Sequence, residues 1–257
     1  MSDPSLLAVD VGNSNIKFGV HNGKVWTHSW PVQTVRDRMP GEYAVLLRSF
    51  FRDAGLELRS VSRVILSSVV PQLTDGLRVM LEHQVGRPPL VVGAHLDLGV
   101  RIGTESPHAV GADLLANAVA GYARFRAACV VISLGTATTL SAVSDAGELY
   151  GVSIAAGMGT TEKALVGGAA QLAHVPLEPP PDVLGTNTRH AMQSGLVLGH
   201  LALIEGLVAR IQRSHGPHKV VASGGLVHLL ADHTDLFDAV DPRLTLEGLR
   251  IIAERNA

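Results

Sequence analysis

A single cysteine, Cys129, occurs in 257 residues, which excludes a disulfide framework or a cysteine-based metal centre within one chain and suits a reducing compartment. Charge is equally scarce. Asp, Glu, Lys and Arg make up 17% of the chain, the formal net charge is −2, and no Lys/Arg cluster is present, so nucleic acid is not expected as the main ligand. No stretch approaches the roughly 18 uninterrupted apolar residues of a membrane-spanning helix. The opening MSDPSLLAVDV also lacks a basic segment followed by a long apolar one. These absences predict a soluble cytoplasmic protein with neither nucleic acid nor membrane as partner. Hydrophobic residues nevertheless reach 46%, with a mean hydropathy of +0.25. That balance argues against disorder and predicts apolar surface covered by a second copy, a homodimer.

What the chain does contain is a repeat. Asp10–Gly19 reads DVGNSNIKFG, and 123 positions later Ser133–Ala142 reads SLGTATTLSA, each set between an apolar strand-like run and a second alternating run. The glycine lets the backbone bend and a phosphate approach closely, while Asn13 and Ser14, or Thr136, Thr138 and Thr139, offer amide and hydroxyl donors. A carboxylate at the strand end, Asp10, would hold Mg²⁺ beside those phosphates. Either copy alone is more simply a plain β-hairpin with a glycine turn. The repetition favours two similar domains that arose by duplication and meet at a ligand cleft. The copies differ at one charged position, Asp10 against Ser133.

The length fits two domains of about 120 residues each. Leu6–Val11, Ile16–Val20 and Lys24–Trp30 read as a strand meander, with Asn22-Gly23 as a hairpin signal. Helical spacing follows over 43–54, 71–82 and 110–126, with strands at 61–67 and 89–92. Strands at 130–134, 139–143 and 149–154 repeat the meander. Helices are expected at 159–172, 188–214 and 244–256, separated by the Pro-rich loop 177–184 and a strand at 220–222 that ends in Ser223-Gly224-Gly225. In the long helix 188–214, Met192, Leu196, Leu203 and Leu207 form a face that suits either core or a subunit interface.

Taken in order, DVGNSNIKFG, SSVVPQL, GADLLANAVAGY, GTATT, NTRHAMQSG, SGG and LTLEGLRIIAERN resemble the motifs of type III pantothenate kinases over nearly the whole chain. The resemblance implies an α/β fold of duplicated actin-like, ribonuclease-H-like domains with mixed sheets, here 1–112 and 113–257. It implies a homodimeric kinase that uses ATP and Mg²⁺, with a monovalent cation such as K⁺ or NH₄⁺, to phosphorylate pantothenate in coenzyme A synthesis. By motif, Asp10, Gly12, Asn13, Ser14 and Lys17 would serve the nucleotide in the first loop, Gly135, Thr136 and Thr138 in the second, and Gly224 and Gly225 in the SGG turn. Lys17 reads first as a solvated strand lysine, with reach to a phosphate oxygen as its functional role. Asp10 and Ser133 are the metal positions. Asp113 falls on the catalytic carboxylate, which would accept the proton of an attacking hydroxyl; on the residues alone it serves equally as a helix cap. Gly111, Ala112 and Asp113, with Arg101, Thr104 and Thr188, fall on the substrate side.

Four positions depart from the family pattern. Ser133 replaces an Asp, Leu114 an Arg, Thr104 a Tyr and Ala169 a Thr. Serine keeps a hydroxyl but no charge, which sets monovalent-cation dependence against the family pattern. Leucine removes charge-assisted bonds worth about 1.5–3 kcal/mol. The departures keep two other functions open: a nucleotide-binding, catalytically weak or inactive paralogue with a regulatory role, and a kinase for another hydroxylated substrate. Arg101 stands as a replacement cation for Leu114.

Overall fold

The computed structural model describes residues 6–257, which form two compact units. The first holds the described residues up to Ala120 together with Leu244–Ala257; the second is Gly121–Arg243.

In the first unit, β1 (Leu6–Val11), β2 (Asn15–His21) and β3 (Trp26–Gln33) form an antiparallel meander, and β4 (Arg63–Ser68) and β5 (Leu90–Val91) add parallel strands on the other side of β1, giving the order β3-β2-β1-β4-β5. Position in the sheet follows from composition. Central β1 reads LLAVDV and is almost wholly buried, as a strand covered on both faces must be. Edge strand β3 alternates in exposure and carries Pro31, whose missing N–H is tolerated at an edge. Leu7, Val9 and Val11 pack into one core with Tyr43 and Leu47 of α1 (Pro40–Asp53) and Leu77 and Leu81 of α2 (Pro71–Val85). Alternation sends Leu6, Ala8 and Asp10 to the opposite face, where β1 and β4 meet α8 (Leu244–Arg255). Short β6 (Arg101–Ile102) precedes α3 (Ala112–Phe125).

The second unit repeats this plan. Its strands β7 (Cys129–Leu134), β8 (Ala137–Val143), β9 (Glu148–Ala156), β10 (Lys219–Ser223) and β11 (Ala239–Val240) lie in the order β9-β8-β7-β10-β11, with the same senses of pairing. Its core joins Val130, Ile132 and Leu134 to Met158 of α4 (Met158–Gly168) and to the run α5 (Thr188–Gln193), a π-helical turn (Ser194–Leu198) and α6 (Gly199–His215). α7 (His228–Ala231) completes it. Burial pushes the Cys129 thiol up to about 12, in keeping with an inert core residue.

Two sequence expectations change. The expected border at 112/113 coincides with the start of α3, but that helix runs unbroken: Ala116 is in backbone contact with Gly248 in the first unit, while Gly121 rests on Val131 in the second. The last helix belongs to the first unit because Leu246 and Leu249 are buried there, Leu246 against Gly19. In the long helical run, Met192 and Leu196 are buried and Leu207 packs on the core, so most of that face is core, and Leu203 alone of the four is exposed. Among the described residues this run, Thr188–His215, is one segment long and apolar enough to cross a membrane, with a mean hydropathy of 1.5; its core face carries Val197, Leu201, Ile204 and Val208.

Candidate active site

Asp10, next to last in β1, lies on the α8 side of the sheet, partly buried. In the register it lies between Ser67 of β4 and Lys17 of β2. The Ser67 hydroxyl, fully buried, donates to Asp10 Oδ1 at 3.0 Å. Burial and the nearby Asp113 carboxylate push the Asp10 carboxyl up to about 6, against the opposing pull of Ser67 and Lys17. Two carboxylates thus share one region of the first unit with too little positive charge to settle both. Because the folded value lies above the ordinary 3.8, this carboxyl favours the metal-free fold most below about pH 4 and loses that contribution as pH rises through about 6. Asp10→Asn is therefore expected to raise the melting temperature of metal-free protein at pH 8, by about 1–3 kcal/mol of stability, and to change it little at pH 4. Identical melts at pH 8 would show that the charge is already compensated.

The first turn closes on itself. Gly12 N donates to Asn15 O at 3.0 Å, and Thr34 Oγ1 donates to the Gly12 carbonyl at 2.7 Å. The glycine's own amide is therefore used in the turn, while its neighbours Asn13 and Ser14 are exposed. Asn13 Oδ1 accepts from Arg36 at 3.3 Å, which sequence reading did not find.

Asp113 sits in the first turn of α3. Its Oδ1 accepts from the Leu114 amide at 2.9 Å, so the carboxylate is fixed by the helix start it helps to close. Burial raises its pKa, with backbone hydrogen bonds opposing. The capping role and a base role are therefore compatible in one side chain. A Cβ at Gly111 would stand 2.7 Å from this oxygen, which explains the glycine before it. Ala112 and Leu114 are buried, and Arg101 is exposed on β6. Thr104 Oγ1 is buried with no hydrogen-bond partner among the described residues. An unmet hydroxyl of this kind is costly and fits a ligand contact.

In the second unit the row corresponding to Ser67, Asp10 and Lys17 is Ser223, Ser133 and Thr139. It carries hydroxyls and no charge. Gly135 N closes the turn onto Ala137 O at 3.1 Å, and the Thr136 carbonyl accepts from Gly157 N at 3.0 Å and Thr160 Oγ1 at 2.6 Å. Thr136 and Gly135 are exposed at the turn. Thr138, expected beside the nucleotide, is instead 1% exposed and faces the core, because its position pairs with Leu134. Gly224 also has a backbone reason: its φ is +105° and a Cβ there would lie 2.3 Å from the Leu134 carbonyl, whereas Gly225 has open space. The SGG turn thus packs directly on the second loop. Thr188 lines a cavity of about 780 Å³ with Thr161, Thr186, Asn187, Met192 and Leu196. Ala169 follows α4 at its C-cap.

The fold is shared by solved structures, among them actin-like and sugar-kinase proteins. A Campylobacter jejuni protein assigned to the Baf transcriptional activators aligns with a TM-score of 0.61 at 17% identity, over 97% of this chain and 98% of that one. MreB 5 of Spiroplasma citri, solved with AMPPNP, gives 0.55 at 11% over 99% and 97%. At those identities the likeness speaks for fold alone. The sequence itself matches the type III pantothenate kinase family over residues 6–210. A type III pantothenate kinase of Anaeromyxobacter sp. strain K is 44% identical over 252 residues, covering 98% of this chain and 99% of that protein. One of Moorella thermoacetica is 42% identical over the same shares. The chain belongs to the type III pantothenate kinase family.

Proposed function

We propose that the chain transfers the γ-phosphoryl group of ATP to the primary hydroxyl of pantothenate. The observation that carries this reading is the pairing of Asp10 and Asp113 within one unit, each with a raised pKa and each held by a hydrogen bond. An under-compensated carboxyl at a phosphate turn suits a divalent cation, so Asp10 is the residue to hold Mg²⁺. Bound Mg²⁺ would offset the negative charge of the β- and γ-phosphates. Asp113 receives the hydroxyl proton as the alcohol oxygen attacks, and its raised pKa makes it a better acceptor at neutral pH. In the first unit Asn13, Ser14 and Lys17 are the residues assigned to the nucleotide, and in the second unit Gly135, Thr136, Gly224 and Gly225. Gly111, Ala112, Arg101 and Thr104 of the first unit are assigned to the acceptor, to which the unmet Thr104 hydroxyl is offered, and Thr188 is the acceptor residue assigned in the second unit. Ser133 supplies a neutral oxygen where the family has a carboxylate, so a requirement for K⁺ or NH₄⁺ is not part of the proposal. A cytoplasmic homodimer completes it: Ile154, Leu165, Val183, Leu184 and Leu203 of the second unit are exposed apolar residues that a second copy would cover.

Titrating pantothenate into the protein calorimetrically, with and without a non-hydrolysable ATP analogue and Mg²⁺, tests this reading. Saturable heat is expected. Heat for the analogue and none for pantothenate in either state would favour the second reading, a nucleotide-binding paralogue with weak catalysis, which the buried apolar Leu114 beside Asp113 supports.

A further inference from the structure

Because the two units share one topology, each strand position in one has a counterpart in the other. A difference at a buried counterpart marks something the fold itself does not need. Val11, the residue after Asp10, pairs with Ile16; Leu134, the residue after Ser133, pairs with Thr138. Ile16 is fully buried in the apolar core of its unit. Thr138 takes the same place in the second unit at 1% exposure, and its hydroxyl meets Nε2 of His200, 6% exposed, at 2.8 Å. An isoleucine would fill this site without desolvating any polar group, whereas a hydroxyl and an imidazole are tolerable there only as a pair. Burial lowers the His200 pKa, which keeps the ring neutral and able to serve as either donor or acceptor to the hydroxyl.

The pair lies directly beneath the second phosphate turn. Thr138 is the second residue of β8, two positions after Thr136. His200 is the second residue of α6, just past the π-helical turn, a type of irregularity that is frequent at functional sites. The opposite side of the turn is held from α4, through Gly157 N and Thr160 Oγ1 on the Thr136 carbonyl. A Cβ at Gly157 would lie 2.1 Å from the Gly135 carbonyl, so that support is in backbone contact. The turn that follows Ser133 is thus clamped on both sides.

We propose that His200 is a positioning residue which, through the Thr138 hydroxyl, sets the conformation in which the Gly135-Thr136 turn grips the nucleotide. The proposal rests on the nucleotide reading given above. Thr138→Val keeps the volume and removes the hydroxyl; His200→Leu removes the ring partner; Thr138→Ser keeps the bond. Affinity for a non-hydrolysable ATP analogue is read by calorimetry, with KM for ATP, kcat and thermal melts alongside. Each single loss is expected to weaken analogue binding and raise KM for ATP about tenfold, with a smaller change in kcat. Thr138→Ser should bind like the parent, and the double variant should be no weaker than either single loss. Single variants that melt lower yet bind the analogue as tightly as the parent would overturn the proposal, and so would additive losses in the double variant. If Thr138→Val does not fold, His200→Leu set against Thr138→Ser gives the same comparison. A parent protein that binds no nucleotide would defeat the underlying reading as well, so the two failures are distinguishable.

Discussion

Asp113→Asn should lower kcat about 10²–10⁴-fold while leaving KM for ATP nearly unchanged. Asparagine keeps an oxygen for the Leu114 amide, so the bond that fixes this side chain at the head of α3 survives. What it loses is the capacity to take up a proton. The variant should fold normally, and if anything gain stability at neutral pH, since a carboxyl whose pKa burial has raised no longer needs to ionise there. Its removal also relieves the repulsion felt by Asp10, whose apparent pKa should fall. Steady-state kinetics, with melts as control, separate the cases. A variant with near-normal kcat would reduce Asp113 to a residue that merely closes a helix.

Gly248→Ala should produce the largest loss of stability from a single methyl group. A Cβ at this position would stand 1.8 Å from the Ala116 carbonyl oxygen and 2.5 Å from its carbon, and a backbone cannot swing aside as a side chain does. α8 would have to leave α3, uncovering part of the face of β1 and β4 that it buries, including the neighbourhood of Gly19. Overpacking typically costs about 1–3 kcal/mol, and more where the obstacle is backbone, out of a total of roughly 5–15 for a domain. The melting temperature should fall by many degrees, or the protein should become insoluble. Gly206→Ala is the matched control, because among the described residues nothing outside its own stretch of α6 lies within 4 Å of a Cβ placed there and alanine is the better helix former, by about 1 kcal/mol. Equal melts for Gly248→Ala and the parent would mean that the two helices do not touch.

The strands that frame the site were legible because central strands leave a continuous apolar signature, and Leu6–Val11 is found with those bounds. The Asn22-Gly23 turn was equally plain: Gly23 has φ of +90°, and Asn22 Oδ1 accepts from the amides of Lys24 and Val25. β6 and β11 have two residues each, too few for any periodicity to show. The repeat was visible at constant offset, yet that offset misplaces Thr138. It sets Thr139 against Ile16, whereas the pairing sets Thr138 there, because the second turn is one residue shorter. A shift of one residue exchanges the two faces of a strand, so a side chain assigned to the ligand turned out to face the core. Ser67 and His200 were missed for a different reason. Their partners lie 57 and 62 residues away, and only tertiary structure brings them together.

One measurement bears most directly on the central claim: incubation of the protein with ATP, Mg²⁺ and pantothenate, with the product identified by mass. The account predicts pantothenate-dependent formation of phosphopantothenate and an equal amount of ADP, abolished in Asp113→Asn. ADP released at the same rate with and without pantothenate, or no phosphorylated product at all, would contradict it.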